Sequence, residues 1–400
     1  MVEKTISYGT IDVDMADAKK SRFAKSAGRL DKGDTTMRIL ILSCNTGEGH
    51  NSAGMAICEE LLRRGHFCEM KNALEMLSPS FAQIISKGHV YVYRHLPWLF
   101  GLGYKFEEQH PVKMIKTECE KAADDMWKML SGGEYDVVVC VHVFPALTLT
   151  EVIRRYHPSF KTYFVATDYT CSPGVSDIHL DKYVIPHADL CEEFVSAGVP
   201  LERILPVGIP VKSMFYRNIS KESAKEQLGL PTDKKVVLLS CGSMGCGPIE
   251  DLALSLKRQL PENAMLVAIC GSNKMLYDVL HPEEVEGRLS VVGFTKQMPL
   301  YMSAADLYLT KAGGLSTTEA LVKRLPLIYI NAVPGCESHN MNFCCSHGVA
   351  SSARRVRGLV KLTCSFVKDE ERQKRMIAQI EKVMPNCAVE DLCDDILKKK

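Results

Sequence analysis

Two glycine-bearing turns in the second half of the sequence have residue types that can bind a phosphate group. In TKAGGLSTTEA, Lys311, Gly313 and Gly314 stand between the apolar run DLYLT and a helical pattern. The turn CGSMGCGP, with Gly242 and Gly245, follows the apolar run KVVLLS and also leads into a helix. Glycines let the backbone approach a ligand, and the amides and dipole of a helix N-terminus attract a diphosphate. The alternative is a tight turn without a ligand, because CGSMGCGP is neither a P-loop nor a GxGxxG motif.

Ser316 and Glu319, three residues apart in the same helical pattern, allow two interpretations. They have the spacing of a capping box, in which each side chain bonds a backbone amide beside the other. Alternatively, they face a ligand at the carboxyl end of the preceding strand, where open α/β sheets bind ligands. The next loop, NAVPGCESHN, brings Glu337, His339 and Asn340 to the same edge.

His50 and Asp168 are the candidate acid–base residues of the first half of the sequence. His50 ends the turn TGEGH between the apolar run RILILS and a helical pattern, and Asp168 follows the run KTYFVAT. At a helix N-terminus we expect the imidazole to stay neutral and able to accept a proton. Each residue also has a non-catalytic interpretation. Histidines at helix starts often cap the helix or face solvent, and aspartates are common in turns.

Alternating strands and helices must position these residues. Short apolar runs such as RILILS, YDVVVCVHVFP and KTYFVATDY, separated by helical patterns, predict a parallel sheet covered on both faces. The runs KVVLLS, AMLVAIC, LSVVGF, DLYLT and LPLIYI repeat the arrangement. The predicted fold class is α/β, with two Rossmann-like doubly wound domains that face a cleft.

The chain of 400 residues is too long for one comfortable core, so we predict more than one domain. The segment LPVGIPVKSMF has the prolines and glycine of an interdomain linker. We predict a flexible tail over 1–36, an acceptor-binding and membrane-binding domain over 37–208, a donor-binding domain over 209–385, and a C-terminal helix with a basic tail over 386–400.

Composition argues against several classes of protein. With 46% hydrophobic and 24% charged residues the chain is globular, and no apolar run reaches the roughly 20 residues that span a membrane. A net charge of +1 argues against nucleic-acid binding. The start of the sequence lacks a secretory signal, and sixteen scattered cysteines indicate reduced thiols, so we expect a cytoplasmic protein. The acidic pairs Asp12 with Asp14 and Asp124 with Asp125 do not make a metal site, and we expect none.

Five motifs together carry a family resemblance. NTGEGH, CGSMGCGP, GFT, TKAGGLSTTEA and PGCESHN, in this order and at these separations, resemble the monogalactosyldiacylglycerol synthases and the bacterial processive diacylglycerol glucosyltransferases. More distantly they resemble the lipid-linked peptidoglycan N-acetylglucosaminyltransferase. The resemblance runs from about Arg38 to Ala350. It implies a glycosyltransferase fold of the GT-B type, with the acceptor in the first domain and a UDP-sugar in the second. We expect no cofactor besides the UDP-sugar donor.

The resemblance also implies roles for individual residues. His50 becomes the favoured base, Glu319 is expected to bond the ribose, and Glu337 and Asn340 are expected to reach the sugar. The Phe294 loop is expected to face the uracil. The residues predicted to bind the donor are Gly242, Ser243, Met244, Gly245, Phe294, Thr295, Lys311, Gly313, Gly314, Ser316, Thr317, Glu319, Glu337 and Asn340.

Two positions depart from the family pattern. Glu48 stands where the family usually has glycine in a GGGH turn, and Cys336 stands where glutamine is usual in PGQE. The second departure leaves the identity of the sugar open, because that position ordinarily bonds sugar hydroxyls.

Residues 80–116 combine aromatics and leucines with lysine, arginine and histidine. Such a segment can lie in the headgroup region, where Trp98 and Phe100 insert and Arg94 meets anionic lipid. The alternative is a core-packing helix with ordinary surface lysines. The lipid acceptor implied by the resemblance favours the membrane role. The predicted acceptor and membrane residues are Gly47, Gly49, Arg94, Trp98 and Phe100.

The predicted function is transfer of a hexose from UDP-glucose or UDP-galactose to diacylglycerol, with inversion and without a metal. The predicted location is the inner face of an anionic membrane, to which the protein binds peripherally. Two alternatives remain open from the residues. One is a UDP-sugar epimerase or a transferase to another acceptor, and the other is a non-catalytic sensor that binds a nucleotide sugar without turnover.

Overall fold

The computed structural model describes residues 36–45, 48–76, 113–242, 248–384 and 387–398. Within these residues the chain forms two six-stranded sheets in which every strand pairs in parallel with its neighbours. Helices cover the sheets, as parallel sheets require, because both of their faces are apolar. The predicted α/β fold class is confirmed.

The first sheet has the strand order β2-β1-β3-β4-β5-β6. Its strands are β1 (Arg38–Ser43), β2 (Phe67–Asn72), β3 (Val137–Cys140), β4 (Lys161–Val165), β5 (Lys182–Val184) and β6 (Ile204–Leu205). The α-helices of this half are α1 (Glu48–Arg63), α2 (Lys113–Gly133), α3 (Val143–Tyr156), α4 (Cys191–Ser196) and α5 (Ser213–Tyr216). Short 3-10 helices cover Ala73–Met76, Val175–Asp177, Ala188–Leu190 and Leu201–Arg203.

The second sheet has the strand order β12-β11-β10-β7-β8-β9. Its strands are β7 (Lys235–Ser240), β8 (Ala264–Ile269), β9 (Leu289–Val292), β10 (Leu307–Lys311), β11 (Leu327–Asn331) and β12 (Ala350–Ser352). The α-helices are α6 (Lys221–Leu228), α7 (Ile249–Gln259), α8 (Lys274–Leu280), α9 (Met298–Ala304), α10 (Gly314–Val322), α11 (Cys336–Ser346), α12 (Val356–Lys368), α13 (Glu370–Val383) and α14 (Ala388–Leu397), and a 3-10 helix covers His281–Glu283.

Strand β1 shows why the continuous apolar runs form buried strands. Ile39 and Ile41 face one side of the sheet and Leu40 and Leu42 the other, and all four are fully buried. Alternate residues of a strand point to opposite faces, so a strand covered on both faces must be apolar at every position. The runs predicted as strands therefore appear as β1, β3, β4 and β7 to β11.

The C-terminal helix α14 crosses back from the second half of the chain to the first sheet. Val389, Leu392 and Ile396 are buried in the cluster that contains β1 and α1. Tyr163 of β4 donates a hydrogen bond from its hydroxyl to Asp395 Oδ1, at 3.0 Å. The sequence predicted this helix but not its position, which ties the two halves together.

Two further expectations from the sequence concern membrane-spanning helices and the state of the cysteines. Among the residues described above, no helix is both long and apolar enough to cross a membrane. The cysteines in the same ranges carry free thiols, as predicted, and most are buried.

Candidate active site

His50 lies in the first turn of α1 and is held by two groups at the ends of neighbouring strands. Its Nδ1 lies 3.0 Å from the Val141 carbonyl oxygen and 2.9 Å from Thr167 Oγ1. A carbonyl oxygen only accepts hydrogen bonds, so we assign the proton to Nδ1. The basic nitrogen of the neutral ring is then Nε2, which is the arrangement a general base needs.

The surroundings of His50 favour its neutral form. Burial lowers the pKa of His50, and the charge of Asp168, which favours the protonated ring, opposes this without outweighing it. The His142 ring contacts His50 edge-on, with centroids 4.6 Å apart. These surroundings therefore favour a neutral imidazole near pH 7, with burial rather than the helix dipole as the main cause.

Asp168, the competing candidate base, is bound by a residue of the second domain. Its Oδ1 accepts a hydrogen bond of 2.7 Å from Asn340 Nδ2, and the same Nδ2 group donates to the Ala312 carbonyl at 2.9 Å. Asn340 Oδ1 accepts from the Tyr169 amide at 2.6 Å. Asn340 is fully buried, so in this structure it joins the two domains and exposes no atom to a sugar. The prediction that Asn340 contacts the sugar was made because the sequence does not reveal these hydrogen-bond partners.

The start of α10 packs directly against the loop that carries Asp168. A Cβ atom on Gly314 would lie 2.0 Å from the Thr167 carbonyl oxygen, so only glycine permits this contact. Gly313 is the N-cap of α10, and no side chain caps the helix. Ser316 Oγ instead donates to the Gly313 carbonyl at 3.3 Å. Ser316 and Glu319 therefore do not form a capping box.

The remaining residues of the TKAGGLSTTEA motif divide between the core and the cleft. Thr317 is fully buried and its Oγ1 lies 2.9 Å from the Tyr329 hydroxyl, so its side chain belongs to the core rather than to a donor site. Glu319 is half-buried, and burial raises the pKa of its carboxyl to about 8, with the Lys212 charge only partly offsetting this. A carboxyl group desolvated to this degree is a candidate for binding a ligand that donates hydrogen bonds.

Lys311 and Glu337 form an ion pair beside the Gly242 turn. Lys311 Nζ lies 2.7 Å from Glu337 Oε1, and Glu337 Oε2 accepts a 3.0 Å hydrogen bond from the Val333 amide. Gly242 has a φ of +69°, and a Cβ atom there would lie 3.2 Å from Lys311 Cε. A glycine is therefore needed where the turn passes the lysine. A contact between Glu337 and a sugar remains a prediction.

Phe294 and Thr295 follow β9 at the carboxyl edge of the second sheet. Phe294 is 66% exposed and lines a cavity of about 280 Å³. The other lining residues follow β8 and β9 or lie on α8, and they are Gly271, Ser272, Lys274, Tyr277 and Gly293. Thr295 Oγ1 accepts a hydrogen bond from the Gln297 amide at 3.0 Å. Contact between the Phe294 loop and a uracil base remains a prediction.

Cys336 is the first residue of α11 and lies close to two carboxylates. Burial raises the pKa of the Cys336 thiol, and the charges of Asp168 and Glu337 raise it further, so the thiol stays protonated. A thiol is a weak hydrogen-bond donor, so it cannot replace the two strong donors and the acceptor of a glutamine amide.

Gly49, a predicted acceptor residue, lies in the first turn of α1, where a Cβ atom would be 3.8 Å from Leu315 Cβ of α10. Several other predicted residues lie outside the described ranges. The residues outside are Gly47, Arg94, Trp98, Phe100, Ser243, Met244 and Gly245.

Sequence reasoning missed two groups of residues around the site. Thr167, which fixes the His50 ring, was overlooked in favour of the adjacent Asp168. Gly271 and Ser272 follow β8 in the turn CGSN, and the rule that parallel sheets bind ligands at the carboxyl ends of strands would have indicated them.

Comparison with known families assigns each half of the chain. The family model described as monogalactosyldiacylglycerol (MGDG) synthase matches residues 50–211. The model of the glycosyltransferase family 28 C-terminal domain matches residues 236–343. The two matches fall on the two sheets in turn, so the chain has the architecture of a two-domain glycosyltransferase.

Named relatives align with nearly the whole chain. A processive diacylglycerol beta-glucosyltransferase of Staphylococcus carnosus is 24% identical over 366 residues, which is 90% of this chain and 92% of the relative. The enzyme of the same name from Bacillus subtilis is 25% identical over 376 residues, or 92% and 96% of the two chains. The resemblance to the monogalactosyldiacylglycerol synthase and processive diacylglycerol glucosyltransferase family is thereby confirmed.

Solved structures share the fold at low sequence identity. MurG of Acinetobacter baumannii has a TM-score of 0.60 at 14% identity, covering 91% of this chain and 100% of that one. MnaA of S. aureus, solved with UDP, has a TM-score of 0.58 at 12% identity, covering 90% and 96%. A putative UDP-N-acetylglucosamine 2-epimerase from Listeria monocytogenes has a TM-score of 0.58 at 10% identity, also covering 90% and 96%. The fold is therefore shared with proteins of several names, a putative epimerase among them, and by itself it does not identify the reaction.

Proposed function

We propose that the protein transfers a hexosyl group from a UDP-sugar to the hydroxyl of diacylglycerol, with inversion at the anomeric carbon. The observation that carries the proposal is the position of His50. Its ring is neutral, its Nδ1 is fixed by Val141 and Thr167, and it lies in the first turn of α1, which packs against the start of α10. A proton acceptor thus lies where an acceptor domain and a donor domain meet.

The reaction needs one proton transfer and one displacement. The diacylglycerol oxygen bonds to the anomeric carbon as the bond from that carbon to the UDP oxygen breaks. The hydroxyl proton passes to His50 Nε2, and the charge of Asp168 favours the imidazolium that forms. The products are a glycolipid and UDP, and a single displacement inverts the anomeric centre.

The donor is proposed to bind along the carboxyl edge of the second sheet. The cavity beside Phe294 is assigned to the uracil, Glu319 to the ribose, and the Gly242 turn beside Lys311 to the diphosphate. Backbone amides, the α10 dipole and Lys311 are the groups that meet the phosphate charge, so we propose chemistry that needs no metal ion. Glu337, which pairs with Lys311, is proposed to lie next to the hexose.

The acceptor and the location of the protein are proposed from the sequence and the relatives. The relatives from Staphylococcus carnosus and Bacillus subtilis bear diacylglycerol in their names, which supports a lipid acceptor. We propose that Trp98, Phe100 and Arg94 bind an anionic membrane from its cytoplasmic side. Gly47 and Gly49, which precede His50 in the sequence, are proposed to belong to the acceptor site.

The test is an assay with separate labelled donors. Purified protein is incubated with UDP-glucose or UDP-galactose and diacylglycerol vesicles, and the lipids are extracted and separated. The proposal expects label in a hexosyl lipid from at least one donor, and the preferred donor identifies the sugar that Cys336 leaves open. Label only in a water-soluble product would support another acceptor, a changed UDP-sugar without lipid would support an epimerase, and UDP binding without turnover would support a sensor.

A further inference from the structure

Two histidines and an aspartate from different domains converge beside the C-terminal end of α11. His187 and Asp189 follow β5, and His347 is the C-cap of α11. His347 Nε2 lies 2.8 Å from Asp189 Oδ2, and His187 Nδ1 lies 3.6 Å from the same oxygen. Ligand atoms of the three residues all lie within 4.8 Å of one another. This spacing is short enough for a single ion to contact all three.

The hydrogen bonds of His347 call for a positive charge, a proton or a metal ion, at the contact between its ring and Asp189. His347 Nδ1 lies 2.8 Å from the Phe343 carbonyl oxygen, which only accepts, so Nδ1 carries a proton. In the neutral ring, Nε2 then presents a lone pair to a carboxylate oxygen 2.8 Å away. These two groups repel unless a proton lies between them or both atoms bind one metal ion at adjacent coordination positions. A ring N–H held by a backbone carbonyl is also the usual arrangement behind a metal-binding histidine.

His187 presents the same kind of atom. Its Nδ1 accepts a 3.2 Å hydrogen bond from the Asp189 amide, so that nitrogen also carries a lone pair near the carboxylate. An ion at this nitrogen would replace that long hydrogen bond. The Phe343 ring stacks on His347 with centroids 4.0 Å apart and contacts the edge of His187 at 5.4 Å. Both imidazoles are therefore held in place before any ion arrives.

We infer that His187, Asp189 and His347 bind a divalent cation of the Zn²⁺ type and that this ion fastens the two domains together. Two imidazole nitrogens and one carboxylate oxygen are donors that Zn²⁺ favours, and Asp189, with a side chain 61% exposed, leaves a side open for water. The C-terminal end of α11 adds a field that favours a cation.

A bound ion would affect the contact between the two domains and not the transfer chemistry. Near its first turn α11 already contacts the first domain through Asn340. An ion at His347 would bind the other end of the same helix to that domain. Opening of the cleft would then have to break both contacts, so the ion is expected to stabilise the closed arrangement.

Cobalt binding to the full-length protein tests this inference, because Co²⁺ occupies Zn²⁺ sites and its absorption bands distinguish nitrogen and oxygen ligands from thiolates. Protein freed of metal by a chelator is titrated with Co²⁺, and the thermal midpoint is measured with and without Zn²⁺. The variants are His347→Ala, His187→Gln and Asp189→Asn. His157→Asn, at an exposed position with φ of +49° that asparagine tolerates, is the matched control.

We expect one equivalent of Co²⁺ with d–d bands and no thiolate charge transfer, and a midpoint that Zn²⁺ raises. Each ligand variant should weaken binding by about tenfold or more and lose the Zn²⁺-dependent rise, whereas His157→Asn should retain both. Circular dichroism establishes that each variant is folded, and a misfolded variant leaves the other two to decide. The inference is overturned if the wild-type protein binds no Co²⁺, if the bands are those of thiolate ligands, or if the folded variants bind as the wild type does.

Discussion

Asn340 Nδ2 donates a 2.7 Å hydrogen bond to Asp168 Oδ1 and so joins the two domains across 172 residues of sequence. The Asn340 side chain also accepts a hydrogen bond from the Tyr169 amide through Oδ1 and donates one to the Ala312 carbonyl through Nδ2. Asn340 is thus the polar centre of the domain junction, and it lies on the helix that also carries Glu337.

Asn340→Ala is expected to destabilise the protein by about 1–3 kcal/mol, because it leaves the buried Tyr169 amide and Ala312 carbonyl without partners. The measurement is the midpoint of urea unfolding. Asn342→Ala is the control, since Asn342 lies on the same helix and is exposed. Equal midpoints for the two variants would contradict the role of Asn340 at the junction.

Replacing Glu319 is expected to weaken UDP binding severely. A carboxylate bonded to ribose hydroxyls contributes about 1.5–3 kcal/mol, so Glu319→Ala should raise Kd roughly 10- to 150-fold while the fold stays intact. Calorimetry measures this directly. Unchanged UDP affinity would remove Glu319 from the donor site.

UDP binding should also release a proton from Glu319. The pKa of this carboxyl is raised to about 8 in the free protein, so at pH 7 the group is largely protonated. Ribose hydroxyls that donate to the carboxylate favour its charged form and lower the pKa. Calorimetry in two buffers of different ionisation enthalpy should detect the release at pH 7, and the release should disappear well above pH 8 and in Glu319→Gln. A binding enthalpy independent of buffer would contradict the assignment.

His50→Ala is expected to lower kcat by about 10² to 10⁴ and to leave UDP affinity near that of the wild type. His157→Asn, at an exposed histidine, should have no effect on either. If His50→Ala keeps most of its turnover and Asp168→Ala loses it, Asp168 is the base and His50 a positioning residue.

The pH profile of turnover gives an independent view of His50. Because burial lowers the pKa of His50 below its usual value of about 6.5, the base stays deprotonated as the pH falls to that value. We expect kcat at saturating donor to be level from about pH 8 to 6.5 and to fall only in more acidic solution. Asp168→Asn removes a charge that raises the pKa, so it should move the acidic limb to still lower pH. A limb that moves to higher pH would contradict this coupling.

Replacing Trp98 and Phe100 with serine is expected to reduce both binding to anionic vesicles and activity on lipid. Each aromatic side chain would contribute apolar area to the membrane interface. Sedimentation with vesicles measures the binding, and turnover with a short-chain soluble diacylglycerol is the control. Unaffected sedimentation would mean that the membrane surface lies elsewhere.

The fold was predictable wherever a local pattern decides it. Strands β1 and β7 are continuous apolar runs because both faces of their sheets are covered. Strand β2, FCEMKN, lies at a sheet edge and is half polar, so its sequence does not resemble a buried strand. The position of α14 was likewise hidden, since an apolar stripe predicts a helix but does not specify the sheet against which it packs.

Only the site residues that follow the carboxyl ends of predicted strands could be identified from the sequence. The rule that ligands meet the carboxyl ends of parallel strands indicated His50, Asp168 and Glu319. It could not show that Asn340 pairs with Asp168, or that His187 and Asp189 meet His347, 158 residues away from Asp189. Such contacts arise only when the two domains pack together.

The most direct test of the central claim is the release of UDP measured together with the glycolipid formed, in the presence and absence of diacylglycerol vesicles. We expect one UDP per hexosyl lipid, a β-linked product from the α-linked donor, and loss of both products in His50→Ala. Release of UDP at the same rate without lipid, or lipid-dependent release without a hexosyl lipid, would contradict it.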